Sequence, residues 1–341
     1  YSWLVQCPAA PSSTRREERM SQLAGVVNEM LGRSIQSRRR HLSLSRQVVV
    51  PITPRMRIVE DDVSLTSLYD AWLAHCHAQG LDPDAAVARY RDHLGQIAKD
   101  ADPQAASAER QQAFDGLCKD FSDDILAKFV HHKLKGEAEA LWAFQRTIAV
   151  QLASSSMFNY AFAIGERTPQ RLLFSTRTGQ LVNSDVYPTY RSNGELEAPE
   201  SVRFRLTRNM ATLLSPIVVD GVVASSMAVT ATAVAEHAEV LRPYLALVLR
   251  DDLVSWSNTK NPAQTCSDQE MRQQEKVLAE RVASNTKLAI DRIQSAAPTS
   301  SRKNAAGKFD HRVDYTVHRL IEAAVQADNL SAMSPVWMPW F

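Results

Sequence analysis

The sequence predicts an α+β fold, a mainly helical lobe carrying a small sheet. Three observations predict it. Helical periodicity runs almost unbroken from Ser64 to Ile164. Two short apolar runs flank a Thr178-Gly179 turn. Near the start, an alternating stretch turns apolar and stops at Pro51.

The elements follow in order. The opening Tyr1-Ser-Trp-Leu-Val-Gln6 is an apolar and aromatic run suited to a strand. Thr14 then precedes a helix whose apolar positions Met20, Leu23, Val26, Val27, Met30 and Leu31 recur at helical spacing, closed by Gly32. Residues 42–50 read as a buried strand, and a second extended stretch surrounds Met56 to Val59. Ser64 begins a helix ending near Gly80; Pro83 sits in the first turn of the next, and Pro103 opens another. Residues 137–164 make a long helix with Leu141, Trp142, Ile148, Leu152, Phe158 and Phe162 as core. Strand candidates at 172–174 and 181–182 form the hairpin. Helices resume from Asn209, through 222–236 and 239–256, and residues 269–294 form a polar, charged one. Residues 297–308, rich in Ser, Ala and Lys, read as a flexible linker before a last helix over 313–326 and an aromatic tail.

With 341 residues, 45% of them hydrophobic, the chain has material for a large core and about two lobes. A net charge of +1 argues against a dedicated nucleic-acid surface, which needs a concentrated positive field. Arg38-Arg39-Arg40 is read as a solvated turn in preference to a nucleic-acid or nuclear-import patch. Cys7, Cys76, Cys118 and Cys266 have no paired short spacing, which fits a reducing compartment. His131-His132 and the His75-Cys76-His77 run lack convergent metal-ligand spacing. No apolar run approaches the ~20 residues of a membrane span. The chain starts at Tyr1 inside a strand-like run, as expected for part of a longer polypeptide.

Two segments carry chemical information. Phe162-Ala-Ile-Gly-Glu-Arg-Thr-Pro-Gln-Arg-Leu-Leu-Phe174 reads as a helix end, a polar loop and a strand. Gly179-Gln-Leu-Val-Asn-Ser-Asp185 is a strand delivering an acid. Kinase-type folds place a catalytic loop beside a metal-binding Asp in this way. A surface hairpin after a helix gives the same string.

Further segments, taken in order, resemble the phosphatidylinositol-3-kinase-related kinases, the family that includes TOR, ATM and TRRAP. "YSWLVQ" with "TRREERMSQLAGVVNEML" resembles the family's lysine strand and following helix, and "VVVPITPRMRIVEDDVSLTSLY" its hinge. "FAIGERTPQRLLF" resembles the catalytic loop and "GQLVNSD" the strand into the metal-binding Asp. "VRFRLTRNM", which contains Phe204 and Arg205, is similar to the end of the activation loop, and "LVLRDDLVSW" to the helix closing the lobe. "LIEAAVQADNLSAMSPVWMPWF", with Trp337, Trp340 and Phe341, is similar to the terminal FATC element. The resemblance implies a PI3K/PI4K-like kinase fold with an incomplete N-lobe. It implies an N-lobe and hinge remnant at 1–60, a helical C-lobe at 61–296, a linker at 297–308 and a FATC element at 309–341.

The departures from the family pattern point away from catalysis. An active member has Asp-Arg-His-x-x-Asn where this chain has Glu166, Arg167, Thr168 and Arg171. Glu166 keeps the charge of a proton-accepting Asp but is one methylene longer. Thr168 removes a donor to the transferring phosphate. Arg171 puts a cation where the Asn would offer magnesium a neutral oxygen. The Asp-Phe-Gly motif becomes Asp185-Val186-Tyr187, and the strand Lys aligns with the uncharged Gln6. Its usual acidic partner region falls in "PAAPSST", which has no acid. Asp185 is read as a structural partner of Arg171 or Arg177.

The resemblance is strongest to the TRRAP-like branch. It implies a pseudokinase in a nuclear transcription-coactivator scaffold shared by SAGA and NuA-four type histone acetyltransferase complexes and targeted by transcription activators. No cofactor, direct nucleic-acid contact or membrane contact is expected. The tail could enter a membrane interface or pack on the lobe, and the resemblance implies packing. Two alternatives stand beside this reading. One is an atypical Ser/Thr kinase with Glu166 as base and Asp185 on magnesium; the other is an inactive nucleotide sensor.

Overall fold

The structure, a computed structural model, describes residues 2–7, 13–53, 55–97, 102–215, 219–260, 268–297 and 315–341. The chain opens with β1 (Ser2–Gln6), α1 (Ser13–Arg33), α2 (Ile35–Arg40), β2 (Val49–Thr53) and β3 (Met56–Asp61). Next come β4 (Leu65–Ser67), α3 (Leu68–Gln79), α4 (Ala85–Gln96), α5 (Pro103–Asp120), α6 (Ile125–Lys133) and α7 (Ala138–Phe162). The hairpin β5 (Leu172–Ser175) and β6 (Leu181–Asn183) precedes α8 (Arg208–Leu214), α9 (Ala224–Ala235), α10 (Ala238–Lys260) and α11 (Asp268–Ala296). The chain closes with α12 (Tyr315–Val325) and α13 (Ala327–Ser331). Ala297 aside, the expected linker lies outside the described residues.

The strands form two antiparallel three-stranded sheets, in the orders β1-β3-β2 and β4-β5-β6. In the first, Gln6 lies opposite Arg57. The expected strand at 42–50 is displaced: β2 starts at Val49 and runs through Pro51, with Val50 exposed. Proline has no N–H to donate, so it is tolerated here because β2 is an edge strand, and the register shifts between Pro51 and Thr53. Residues 42–48 bury only Leu42 and Leu44.

Ser64 does not begin a helix. Residues 65–67 pair with β5, and Ser67 ends the strand and caps α3. Its Oγ accepts the Asp70 N–H at 3.1 Å while the Asp70 carboxylate accepts the Ser67 N–H at 2.7 Å, a reciprocal capping box. Gly80, at φ 66°, closes α3 in the left-handed conformation open to glycine. The three arginines 38–40 lie on helix α2 and not in a turn.

Helix α7 is the axis of the lobe. Every residue from 148 to 159 is buried, and small Ala153, Ser154, Ser155 and Ser156 let neighbouring elements approach on all sides. One face joins Trp72, Tyr90, Phe174, Met227 and Trp340 in the larger core; the other joins α1, α10 and α11 through Leu23, Leu241 and Ile290. Trp142, expected in the core, is 62% exposed under Arg146, whose guanidinium lies 5.6 Å from the ring centroid. In the first turns of α7 only Leu141 packs partly against the core, and Phe144 is the first fully buried residue. The extended segment after β6 is fastened to α11, where Asn285 bonds Leu196 N–H and Gly194 C=O at 2.9 and 3.0 Å.

Truncation separates these positions. In urea unfolding, Leu152→Ala is expected to lose about 2–5 kcal/mol. Trp142→Ala should lose less than about 1 kcal/mol.

Candidate functional site: a cleft closed by internal ion pairs

Four elements converge on the cleft. Strand β1 brings Gln6, β3 brings Arg57, the first turns of α1 bring Arg16 and Glu17, and the loop after α7 brings residues 165–171. Ala163 leaves α7 in the left-handed region at φ 51°, and Glu166 and Asp185 share that region at φ 56° and 49°. Such backbone costs of order 1–3 kcal/mol per residue and persists only where the surroundings fix it. Here they do. Thr189 donates both its N–H and its hydroxyl to Ala163 C=O, at 3.0 and 2.7 Å. A Glu200 carboxylate oxygen accepts the Glu166 N–H. The same carboxylate would lie 2.7 Å from a Cβ at position 165, so a side chain there would push the Glu200 carboxylate aside.

The Arg57 guanidinium sits at the centre, 7% exposed. Its Nε donates to Gln6 Oε1 at 2.9 Å, one terminal nitrogen pairs with Glu17, and the other reaches Asp185 Oδ1 at 3.3 Å. Glu17, 8% exposed, also accepts the Asp185 N–H at 2.8 Å. On the outer side Arg171 pairs with Glu166, and its Nε lies 3.6 Å from Asp185 Oδ2. Arg167 is buried beneath them and donates to the carbonyls of Gly165, Ser184 and Asp185 at 2.9–3.0 Å. Tyr187 lies under two guanidinia, with Arg16 at 4.6 Å and Arg171 at 5.8 Å from its ring centroid. Arg16 in turn ties α1 to α10 through the buried Asp252.

Electrostatics follow from burial. Burial pushes the Glu17 carboxyl above the usual carboxylate range, although Arg57 and the Asp185 N–H pull it down. Burial pulls Arg167 down to about 10, with neighbouring Arg171 adding to the fall. Three acids (Glu17, Glu166, Asp185) meet three guanidinia (Arg57, Arg167, Arg171), with the Glu200 carboxylate at their edge.

Magnesium is held through one or two carboxylates together with waters and phosphate oxygens, and here both Asp185 oxygens already face guanidinia. At an effective dielectric near ~20, two like unit charges ~4 Å apart repel by about 4 kcal/mol, and a dication doubles that. The donor set does not fit the metal that a phosphoryl-transfer site of this kind would hold. A partly open pocket lined by Glu17 and Val186 has a volume of about 50 Å³. A wider groove of about 690 Å³ runs between Glu166, Thr168 and Asp185 on one bank and Met333 to Trp337 on the other. Among the described residues no cluster of His, Cys, Asp and Glu is arranged to hold a metal, and no helix is long and apolar enough to cross a membrane.

The tail packs on the lobe. Phe204 and Arg205 are buried, as are Trp337, Trp340 and Phe341. Arg205 donates to the Trp337 and Met338 carbonyls at 2.5 and 3.1 Å, and its guanidinium lies 4.4 Å from the Trp337 ring centroid. Burial brings this guanidinium down to about 9. Arg208 holds Trp340 C=O at 2.9 Å, and the Thr207 hydroxyl holds Phe341 C=O. The Phe341 ring packs tilted against Trp72 and the Trp340 ring edge-on against Tyr90, with centroids 5.4 and 5.3 Å apart.

The structure brings Gln6, Glu166, Arg171 and Asp185 into one network, with Tyr187 under Arg171 and Val186 beside Glu17. Thr168 lines the groove and makes only backbone contacts there. Arg171 takes Asp185, and Arg177 does not. Residues 8–12 of the "PAAPSST" segment lie outside the described residues, and the acid facing Arg57 is Glu17 of α1. Glu17, Arg57 and Arg208 were missed by sequence reasoning. Two had a readable signal: Glu17 shares the helical face of Met20 and Ala24, and Arg57 alternates with the buried Val59.

Two variants probe the site. Arg205→Met leaves two tail carbonyls buried without donors, so it should lose about 2–5 kcal/mol and speed proteolytic clipping near residue 334. A wild-type clipping rate would contradict this. Glu17 holds its proton more tightly folded than unfolded, so its contribution to stability falls as pH rises from 4.5 through the raised value. Glu17→Gln should lack that decline in urea titrations run from about pH 4 to 7.

Comparison with known proteins bears on the family and the fold. The sequence model of the phosphatidylinositol 3- and 4-kinase family matches residues 10–258. The transformation/transcription domain-associated protein of Mus musculus is 27% identical over 349 residues, covering all of this chain and 13% of that protein. The SAGA complex/NuA4 acetyltransferase complex subunit TRA1 of Saccharomyces cerevisiae is 27% identical over 361 residues, covering all of this chain and 9% of that protein. The serine/threonine-protein kinase TEL1 of Yarrowia lipolytica is 24% identical over 331 residues, covering 96% of this chain and 13% of that protein. The solved FAT and kinase domain of CtTel1 shares the fold, with a TM-score of 0.71 at 19% identity over 99% of this chain and 22% of that one. This chain thus spans a small fraction of its relatives' length. The chain belongs to the phosphatidylinositol 3- and 4-kinase family, and is similar within it to the TRRAP and TRA1 proteins.

Proposed function

We propose that the chain is the non-catalytic kinase-like and FATC part of a transcription-coactivator scaffold. One observation carries the reading: the Arg57 guanidinium pairs with both Glu17 and Asp185 inside the cleft, while Arg171 occupies the outer face of Asp185. A nucleotide–metal complex would have to break both pairs to reach its ligand. Glu166 is likewise held by Arg171 and is unsuited to accept a substrate proton. The likeness to proteins named as transcription-associated and as SAGA/NuA4 subunits supports membership of histone acetyltransferase complexes. With that membership come a nuclear location and contact with transcription activators through the full-length protein. In this reading the segments 1–60, 61–296, 297–308 and 309–341 are N-lobe and hinge remnant, C-lobe, linker and FATC element.

A second reading draws on the wide groove beside Glu166 and Asp185, and on the likeness to a named Ser/Thr kinase. It is a protein that still binds nucleotide, with or without transfer.

Thermal unfolding with and without magnesium-ATP separates the two. A ligand that binds only the folded state raises its apparent stability, by about 2.7 kcal/mol at a hundredfold excess over Kd. The scaffold reading expects a shift below about 1 °C at millimolar nucleotide. A magnesium-dependent rise of about 3 °C or more overturns it.

A further inference from the structure

The turn between α6 and α7 takes no part in the cleft or in holding the tail. It reads Leu134-Lys135-Gly136-Glu137, and no other lysine of the chain has a large apolar residue before it and an acid two places after it. Lys135 and Gly136 both stand in the left-handed region, at φ 54° and 74°. Three backbone bonds hold the turn: Lys135 N–H to His132 C=O at 3.2 Å, Gly136 N–H to His131 C=O at 3.1 Å, and Glu137 N–H to Leu134 C=O at 3.1 Å. Lys135, Gly136, Glu137 and the next acid, Glu139, are exposed, and a Cβ on Gly136 would meet nothing within 4 Å. The nearest lysines in sequence are engaged: Lys128 pairs with Asp124 at 2.9 Å, and Lys133 lies 5.3 Å from the Phe129 ring centroid. Among the described residues Lys135 has no such partner.

Helix geometry accounts for part of this string. A cation after a helix C-terminus suits the dipole, and glycine fits the left-handed region. It does not account for a lysine in that region, where a side chain is disfavoured. Nor does it account for Glu137, whose side chain makes no cap hydrogen bond at the start of α7. Opening the turn into an extended segment would relieve the Lys135 backbone and exchange three turn hydrogen bonds for bonds to water. Of the four side chains only Leu134 packs against the core, and it does so in part.

An exposed apolar-Lys-x-acid segment is what the enzyme that conjugates the small ubiquitin-like modifier receives. The apolar side chain and the carboxylate hold the lysine at the enzyme's thioester, the carboxylate through charge-assisted contacts. We propose that Lys135 is an acceptor site for this modifier. Its Nζ gives up a proton and attacks the thioester carbonyl joining the modifier's C-terminal glycine to the enzyme's cysteine. The C–S bond breaks, the cysteine leaves as a thiol with a proton, and an isopeptide bond forms. The thioester itself is made beforehand by an activating enzyme at the expense of ATP. Helix α7, 25 residues and so about 37 Å long, separates the turn from the cleft loop. The proposal is therefore independent of whether the cleft binds nucleotide.

Reconstituted conjugation on the full chain tests it. The chain is incubated with purified activating enzyme, conjugating enzyme, the modifier and ATP, with no ligase, and products are read by gel mobility and peptide mass spectrometry. A conjugate is expected with its isopeptide bond on Lys135. Lys135→Arg should abolish it, and Glu137→Ala should slow it about tenfold through the loss of one charge-assisted contact. Lys128→Arg and Lys133→Arg should leave the rate unchanged. No conjugate, or conjugates formed mainly on other lysines, overturns the proposal. So does a wild-type rate for Glu137→Ala, since Lys135 would then be reached through exposure alone.

Discussion

One guanidinium holds the cleft together. Arg57 leaves water almost completely, and desolvating a cation costs several kcal/mol before any partner is found. Its three acceptors belong to β1, α1 and the segment following β6, the last more than 120 residues further along the chain. The same contacts that satisfy the charge therefore fix the small sheet and first helix against the hairpin. Losing Glu17 would leave the buried Arg57 guanidinium short of its buried counter-charge, so the arrangement is stiff even though its net gain is modest. Asp185, held in the left-handed region, gives its N–H to Glu17 and a carboxylate oxygen to Arg57. Its backbone strain is offset by the network it completes.

A second buried guanidinium does the corresponding work for the tail. Arg205 has carbonyls rather than a carboxylate as partners, and it stacks on Trp337. It also reaches the Arg167 carbonyl at 3.4 Å, which connects the tail to the loop that forms the cleft floor. The chain end, the degenerate loop and the Arg57 network are thus one continuous set of hydrogen bonds. On the scaffold reading, these contacts preserve a shape for other chains to use.

Much of the fold was legible because the sequence repeats its signals. Apolar spacing marked α1, α9 and α10, Gly179 at φ 75° marked the hairpin, and an aromatic tail too apolar for water announced its own burial. The misses were positions where a local signal competed with a tertiary one. Trp142 fits an apolar helical face, but here Leu141 takes the side of α7 toward the core and Trp142 is left in solvent. Ser64 looked like a helix start, yet edge pairing with β5 claims the next three residues before Ser67 takes over as cap. In the cleft, the resemblance pointed to Gln6, Glu166, Arg171 and Asp185, and the structure brings these four into one network. The partners that neutralise them could not be read in this way, because Arg57 and Glu17 lie 40 residues apart and meet only once the sheet has formed. Arg208 escaped for the same reason: its acceptors are carbonyls, which leave no trace in side-chain patterns.

The central claim is that Arg57 and Glu17 act as one unit that keeps the cleft closed. A double-mutant cycle of Arg57→Met and Glu17→Gln, read by urea unfolding near neutral pH, tests it most directly. The account predicts that the two losses fail to add, with a coupling of about 1–3 kcal/mol. Losses that add to within about 0.3 kcal/mol would contradict it.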